Sequence, residues 1–345
     1  PEGGRPFRMF LDTGASKSVL TPRVARQLGV SVRRTKNTPY RRATRLGRDL
    51  SFYIDTRRTD TASRTGWEYG FLGGEFLDDY VVELDFPGRR VRFLDPKRYE
   101  VPEETAAPDE SVVPIRFSGT RIGVEIELNG EPLPVMLDTG APWTAVVSGR
   151  AARKLGIDVE SLPDYGTAMT TVGPMQLRLH ESDGFRFATF DFDTMPILVA
   201  PRGWNNMAGA TDSVIGYDVL SQFVVLIDYK RRRLWLKRSA DAQVTLYGAD
   251  YRLARRVGAL LTPVPQGYAV WALEPHGAAG AFGLRNGDVI VRPLGERLLS
   301  IEEVLGKIEG GEELTVARRE GEVWIDRILP EDAFATESAP EVETD

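Results

Sequence analysis

Two short stretches carry the residues most able to do chemistry. Asp12 stands in MFLDTGASKSVL (9–20) and Asp138 in VMLDTGAPWTAV (135–146), each directly after an apolar run and directly before Thr-Gly. A carboxylate at the end of an apolar run is costly to bury, so writing the pattern twice in one chain points to two aspartates used together. Held a few ångströms apart, two such groups cannot both ionise easily; the pair keeps one proton over a broad acidic range and titrates as a unit. One carboxylate then deprotonates a water while the other, protonated, polarises a carbonyl, which is the chemistry peptide-bond hydrolysis needs. No nucleophilic side chain, metal or cofactor is required. Gly14 and Gly140 let the backbone turn tightly behind each aspartate, and Thr13 and Thr139 supply hydroxyls able to tie the two loops together. The repeat treats the two aspartates alike, so it leaves open which is the base.

Composition narrows the alternatives. With no cysteine, the chain has no disulfides, no thiolate nucleophile and no cysteine-ligated metal. Only His180 and His276 are available as imidazoles; both read as surface or loop positions, and a histidine-rich zinc site cannot be built. The formal net charge of −6 argues against a nucleic-acid-coating protein, and no run approaches the roughly 18 apolar residues of a membrane span. The first residue is Pro1 rather than Met, so an upstream segment, a signal peptide or anchor included, is expected to have been removed. Hydrophobic content of 42 % and charged content of 27 % over 345 residues fit a globular chain of two or three domains.

The elements that must position the aspartates are themselves repeated. Sliding the sequence by 126 places Leu11 on Leu137 and Asp12 on Asp138, and TPRVARQLGV (21–30) answers SGRAARKLGI (148–157). Each copy reads as a short helix, capped by Thr21 or Ser148 and stopped by Gly29 or Gly156, with Pro22 at the first helical position. A shift of 143 aligns FLGGEFLDDYVVELDFPGRRVRFL (71–94) with VIGYDVLSQFVVLIDYKRRRLWL (214–236), so each copy ends in an apolar-apolar-Gly element and a hairpin of two strands. The second copy opens with two strands around an Asn-Gly turn before its triplet; the equivalent first strand of the first copy is expected to be missing. Between the copies, 95–112 is rich in Pro and Glu and reads as an extended linker, with a second break at 239–256 and a disordered acidic tail at 331–345.

With these motifs the chain resembles a retropepsin-like aspartic protease in a bacterial single-chain form with two Asp-Thr-Gly lobes. The resemblance implies a mainly β, bilobal, pseudo-twofold fold with Asp12 and Asp138 as the catalytic dyad and Thr13, Gly14, Thr139 and Gly140 as its support. It also places Leu72-Gly73 and Ile215-Gly216 beneath the dyad and flaps near Gly47 and Gly173. The lobes would span 1–94 and 113–238. The activity implied is endopeptidase cleavage of protein or peptide substrates, without cofactor, in a periplasmic or exported protein. The linker is long enough that lobes swapped between two chains of a homodimer are an alternative to pairing within one chain.

From 257 to 330 the pattern changes. Strands are expected at 268–273 and 288–292, a short helix or turn at 277–284, a helix at 300–308 and a hairpin about Glu320-Gly321. Ser300 and Glu303 form a capping box, and Ile301, Val304, Leu305 and Ile308 share one helix face. The run GAAGAFGLRNGDVI resembles a bacterial PDZ domain, a small α+β fold that takes a peptide C-terminus as an added strand. That resemblance implies peptide-binding residues Gly267, Tyr268, Ala269 and Val270, in a carboxylate loop at 266–270, facing Ile301 and Val304. A non-catalytic peptide-binding adaptor, with degenerate lobes, is the alternative reading. The stretch 31–66 carries about ten basic residues against about three aspartates. It reads as a solvated face or a preference for acidic substrates, with binding of an acidic polymer as a third alternative.

Overall fold

The computed structural model describes residues 9–27, 40–43, 49–54, 70–170, 173–192, 194–200, 211, 213–240, 245–246, 249–250, 256–264, 266–271, 273–274, 276–292, 297–320 and 323–330. The fold is mainly β. In the first lobe Phe10–Leu11 runs parallel to Gly70–Leu72, and Gly70–Leu72 also pairs antiparallel with Val19–Leu20, which continues parallel to Asp49–Ile54. The second lobe repeats the arrangement. Glu131–Leu137 lies parallel to Val214–Ile215, which pairs antiparallel with Ala145–Ser148, itself parallel to Met195–Ala200. Each Asp-Thr-Gly therefore sits in a loop whose entry and exit strands grip a single central strand. The entry strand of the second lobe begins at an Asn129-Gly130 turn with φ of 55° and 80°, the left-handed pair that a tight hairpin requires.

The expected helices follow the exit strands, at Pro22–Gln27 and Gly149–Lys154. The Ser148 hydroxyl accepts the Ala151 N–H at 3.0 Å, and Gly156 adopts φ of 75° just past the second helix. Gly29, Gly47 and most of 31–66 lie outside the described residues, as does the tail 331–345.

A third sheet joins the lobes. Its order is Arg90–Leu94, Val81–Asp85, Phe223–Asp228, Arg233–Arg238 and Glu110–Pro114. The two hairpins found as a sequence repeat thus pair with each other. Glu83, which the shift of 143 aligns with Leu226, is itself the register partner of Leu226, so a local twofold axis passes through that pair. The segment 95–112, expected as an extended linker, is partly packed. Its last residues are already strand, and Val101 is fully buried against Val81 and Leu226. Alternation in Glu110–Pro114 puts Ser111 and Val113 inside, a period that the surrounding Pro and Glu obscure. Within the second expected break, Thr245–Leu246 pairs with Ala249–Asp250.

The C-terminal segment forms a five-stranded antiparallel sheet, ordered Leu260–Val264, Gly267–Trp271, Val289–Val291, Leu314–Glu320, Val323–Leu329. The helix Ile301–Gly310 packs Val304, Leu305 and Ile308 into its core and carries the full Ser300–Glu303 capping box. The carboxylate loop expected at 266–270 is corrected here. Gly267–Trp271 is a strand paired on both edges, so its backbone groups are already taken. Underneath, Asp288 and Arg318, 2 % and 4 % exposed, pair through Nε to Oδ1 at 3.0 Å and Nη2 to Oδ2 at 2.8 Å. Removing one partner of a pair this buried strands the other charge, so Asp288→Ala is expected to cost about 3–5 kcal/mol. Scanning calorimetry of the full chain would show it as a lowered transition for this domain.

Candidate active site

Each triplet is held by the same set of backbone bonds. Asp12 N–H donates to Leu72 O at 2.9 Å and Asp138 N–H to Ile215 O at 3.0 Å, so the central strand fixes both aspartates. One step on, Gly74 N–H reaches Ala15 O and Tyr217 N–H reaches Ala141 O, both at 2.7 Å. The glycines before them allow this approach. A Cβ on Gly73 would lie 2.5 Å from Lys17 O, and one on Gly216 2.3 Å from Trp143 O. The apolar-apolar-Gly elements read from the sequence are therefore the backing on which the loops rest.

The two loops then lock into each other. Thr13 N–H donates to Thr139 Oγ1 at 3.1 Å, and Thr139 N–H to Thr13 Oγ1 at 3.0 Å. Each hydroxyl in turn donates to a carbonyl of the opposite lobe, Thr13 to Leu137 O at 2.8 Å and Thr139 to Leu11 O at 2.5 Å. Gly14 and Gly140 bring the opposing carboxylates inside contact range. A Cβ on Gly14 would sit 2.3 Å from Asp138 Cγ, and one on Gly140 2.8 Å from Asp12 Cγ.

The two carboxylates face each other at the centre of this arrangement, each against the glycine of the opposite loop. Burial, then the charge of Asp138, push Asp12 up to about 8. Asp138 is also raised, first by burial, while N–H groups of Gly140, Gly14 and Ala141 oppose the rise. Both carboxylates are thus raised, so the pair holds a proton between them well above the usual carboxylate range.

Three supporting residues escaped the sequence reading. Arg121 of the second lobe donates Nε to Gly14 O at 2.9 Å, and Thr120 Oγ1 donates to Ser16 O at 3.1 Å, so the second lobe clasps the first-lobe loop. Tyr229 is buried, stacks on Phe117 with centroids 5.8 Å apart, and has its phenol raised by burial and by the charges of Asp78 and Asp12. Neither Thr120 nor Arg121 has a partner under the shift of 126, so the repeat could not weigh them. Arg121→Met is expected to loosen the first-lobe loop at a cost of about 1–3 kcal/mol, measurable by denaturant unfolding. His276 is exposed as expected, whereas His180 lies half-buried in a strand and is lowered mainly by burial.

Of the expected flaps, the second belongs to a hairpin of Asp164–Thr170 and Gly173–Ser182, with Gly173 opposite Thr170 at its tip. Gly267, Tyr268, Ala269, Val270, Ile301 and Val304 lie in the C-terminal domain, apart from the dyad.

Residues 124–219 match the family model described as "Aspartyl protease", and residues 3–59 match "gag-polyprotein putative aspartyl protease". Each matched stretch contains one Asp-Thr-Gly triplet, so both lobes are similar to aspartyl protease domains. Among solved structures, the chain matches a retropepsin-like aspartic protease from Rickettsia conorii at 21 % identity and a TM-score of 0.31, covering 37 % of this chain and 90 % of that one. It also matches conglutin gamma, a basic 7S globulin from lupine seeds, at 13 % identity and a TM-score of 0.24, over 38 % of this chain and 41 % of that one. No curated protein sequence matches.

Proposed function

We propose that the chain is an aspartic endopeptidase acting on protein or peptide substrates. The observation that carries the reading is the pair of carboxylates brought face to face between two reciprocally locked loops. Asp138 takes a proton from a water, whose oxygen attacks the scissile carbonyl carbon while Asp12 gives its proton to the carbonyl oxygen. The tetrahedral diol then collapses. Asp138 passes its proton to the leaving nitrogen, the C–N bond breaks, and Asp12 recovers the proton of the hydroxyl that becomes the new carbonyl. Both aspartates end in the protonation state in which they began, the water having been divided between the new acid and the new amine, and no step calls on a cofactor or a covalent intermediate.

Peptide-library cleavage read by mass spectrometry across pH 4 to 8 tests the assignment. Cleavage by the intact chain supports it; a well-folded chain that cleaves nothing transfers the reading to a peptide-binding adaptor. For the C-terminal domain we keep the PDZ-like reading with a changed entry point. Among the described residues the outer edge of Leu260–Val264 pairs with no strand, which makes it, rather than 266–270, the place for an added peptide strand. An exported or periplasmic location is proposed on the resemblance, and cell fractionation tests it.

A further inference from the structure

The C-terminal sheet has two working faces at its Leu260 end. Leu261 and its register partner Val270 enter the domain's own core, whereas Leu260 and its partner Trp271 point the other way and join a cluster of the second lobe. Leu260 is fully buried there, and Ile301, the first residue of the helix, packs against both clusters. The lobe residue met by Trp271 is Tyr165, with rings stacked at 6.2 Å and 17°.

Tyr165 occupies an unusual position. The pairing of the second-lobe hairpin shifts register between Asp164 and Gly166, so Tyr165 is the extra residue of a β-bulge. Such a bulge breaks the ladder and re-aims a side chain, here toward the C-terminal domain and into burial at 2 % exposure. The same cluster holds Met175 on the facing strand of the hairpin and Met136, two residues before Asp138. One apolar body therefore runs from the Asp138 loop, through the base of the hairpin, to the C-terminal sheet.

We propose that the C-terminal domain sets the position of the second-lobe hairpin by clamping the bulge at Tyr165, with Trp271 as the positioning residue. Its consequence for turnover rests on the endopeptidase reading; the clamp itself does not. A hairpin held at its base offers substrate a fixed wall, whereas a released one has to be ordered by each substrate that binds. The loss then falls mainly on KM and little on kcat, because Trp271 touches no reacting atom.

The test uses the full chain with Trp271→Ala and, as the conservative rescue, Trp271→Phe. Hydrogen exchange is followed over 164–182, with the interlobe sheet 81–94 as reference. Trp271→Ala is expected to speed exchange over 164–182 by about 3- to 10-fold, the range an aromatic pair supports, and Trp271→Phe to restore most of the protection. On any peptide the chain cleaves, KM rises by a similar factor with kcat within about twofold. Unchanged exchange over 164–182, with the C-terminal strands 314–329 still protected, overturns the clamp. Should Trp271→Ala unfold the C-terminal domain, Tyr165→Leu decides from the other side, since coupling is reciprocal. It must speed exchange over 260–271, and no change there overturns the proposal. A chain that cleaves nothing overturns the endopeptidase reading while the exchange result still judges the clamp.

Discussion

Asp12→Asn and Asp138→Asn are each expected to lower kcat on a cleaved peptide by about 10³- to 10⁴-fold while leaving the fold intact. Asparagine keeps the shape of the carboxylate and its acceptor oxygen. The Ala15 N–H bond to Asp12 Oδ1 and the Gly140 N–H bond to Asp138 Oδ1, both 2.8 Å, therefore survive the exchange. The amide cannot pass a proton to or from the substrate. Because the two groups work as a unit, the double variant should fall little below either single one, a non-additivity that separates a shared proton from two independent contributions. Quantitative mass spectrometry of a defined peptide gives the rates, and circular dichroism checks the fold. Either single variant retaining more than about a tenth of the activity would sink the dyad.

The same pair should make the protein less stable as pH rises. Asp12 titrates near 3.8 as a free side chain and at about 8 in the fold, so between those values the folded chain holds a proton that the unfolded chain has released. Stability rises with pH only where the unfolded state binds more protons, and here the reverse holds. The contribution is present in full below about pH 4, is eroded across the interval and is gone above about pH 8. Asp138, also raised, acts with the same sign. Carboxylates lowered by their partners, such as Asp85 beside Arg90 and Glu303 beside Arg297, change stability in the opposite direction and only at lower pH, as they protonate. The expected loss between pH 5 and pH 8 is on the order of a few kcal/mol by denaturant titration. Asp12→Asn should flatten the dependence and be the more stable protein at pH 8. A wild-type chain equally stable at both pH values would show that the pair is not strained.

Much of this site was legible in the sequence because it is written twice. Asp12 and Asp138, the threonines beside them and the glycines at 73 and 216 occupy matching positions, and each has the same structural task in its lobe. What the repeat could not show is anything that joins its copies. The interlobe sheet pairs Val81–Asp85 with Phe223–Asp228, strands that read correctly as strands but carry no mark of their partner. Arg121 and Thr120 are unpaired in the repeat, and Tyr165 leaves its ladder at a bulge, where period-2 alternation loses its meaning. The segment 95–112 misled through composition, since its Pro and Glu residues mask the buried Val101 and Val113. The loop at 266–270 was implied by the resemblance alone, whereas Gly267–Trp271 is a strand paired on both edges, in which a Cβ on Gly267 would lie 1.8 Å from Ile290 O.

The twofold centre at Glu83 and Leu226 bears on how the halves find each other. The hairpins 81–94 and 223–238 recognise one another through a ladder of backbone bonds and not through their covalent connection. Within that connection Pro102, Glu103 and Glu104 are exposed. A protease nick at those residues should therefore yield two fragments that remain together, and two separately produced fragments should reassemble by complementation. A single continuous chain is thus a convenience of synthesis for this architecture, while mutual recognition of the two halves is its structural necessity.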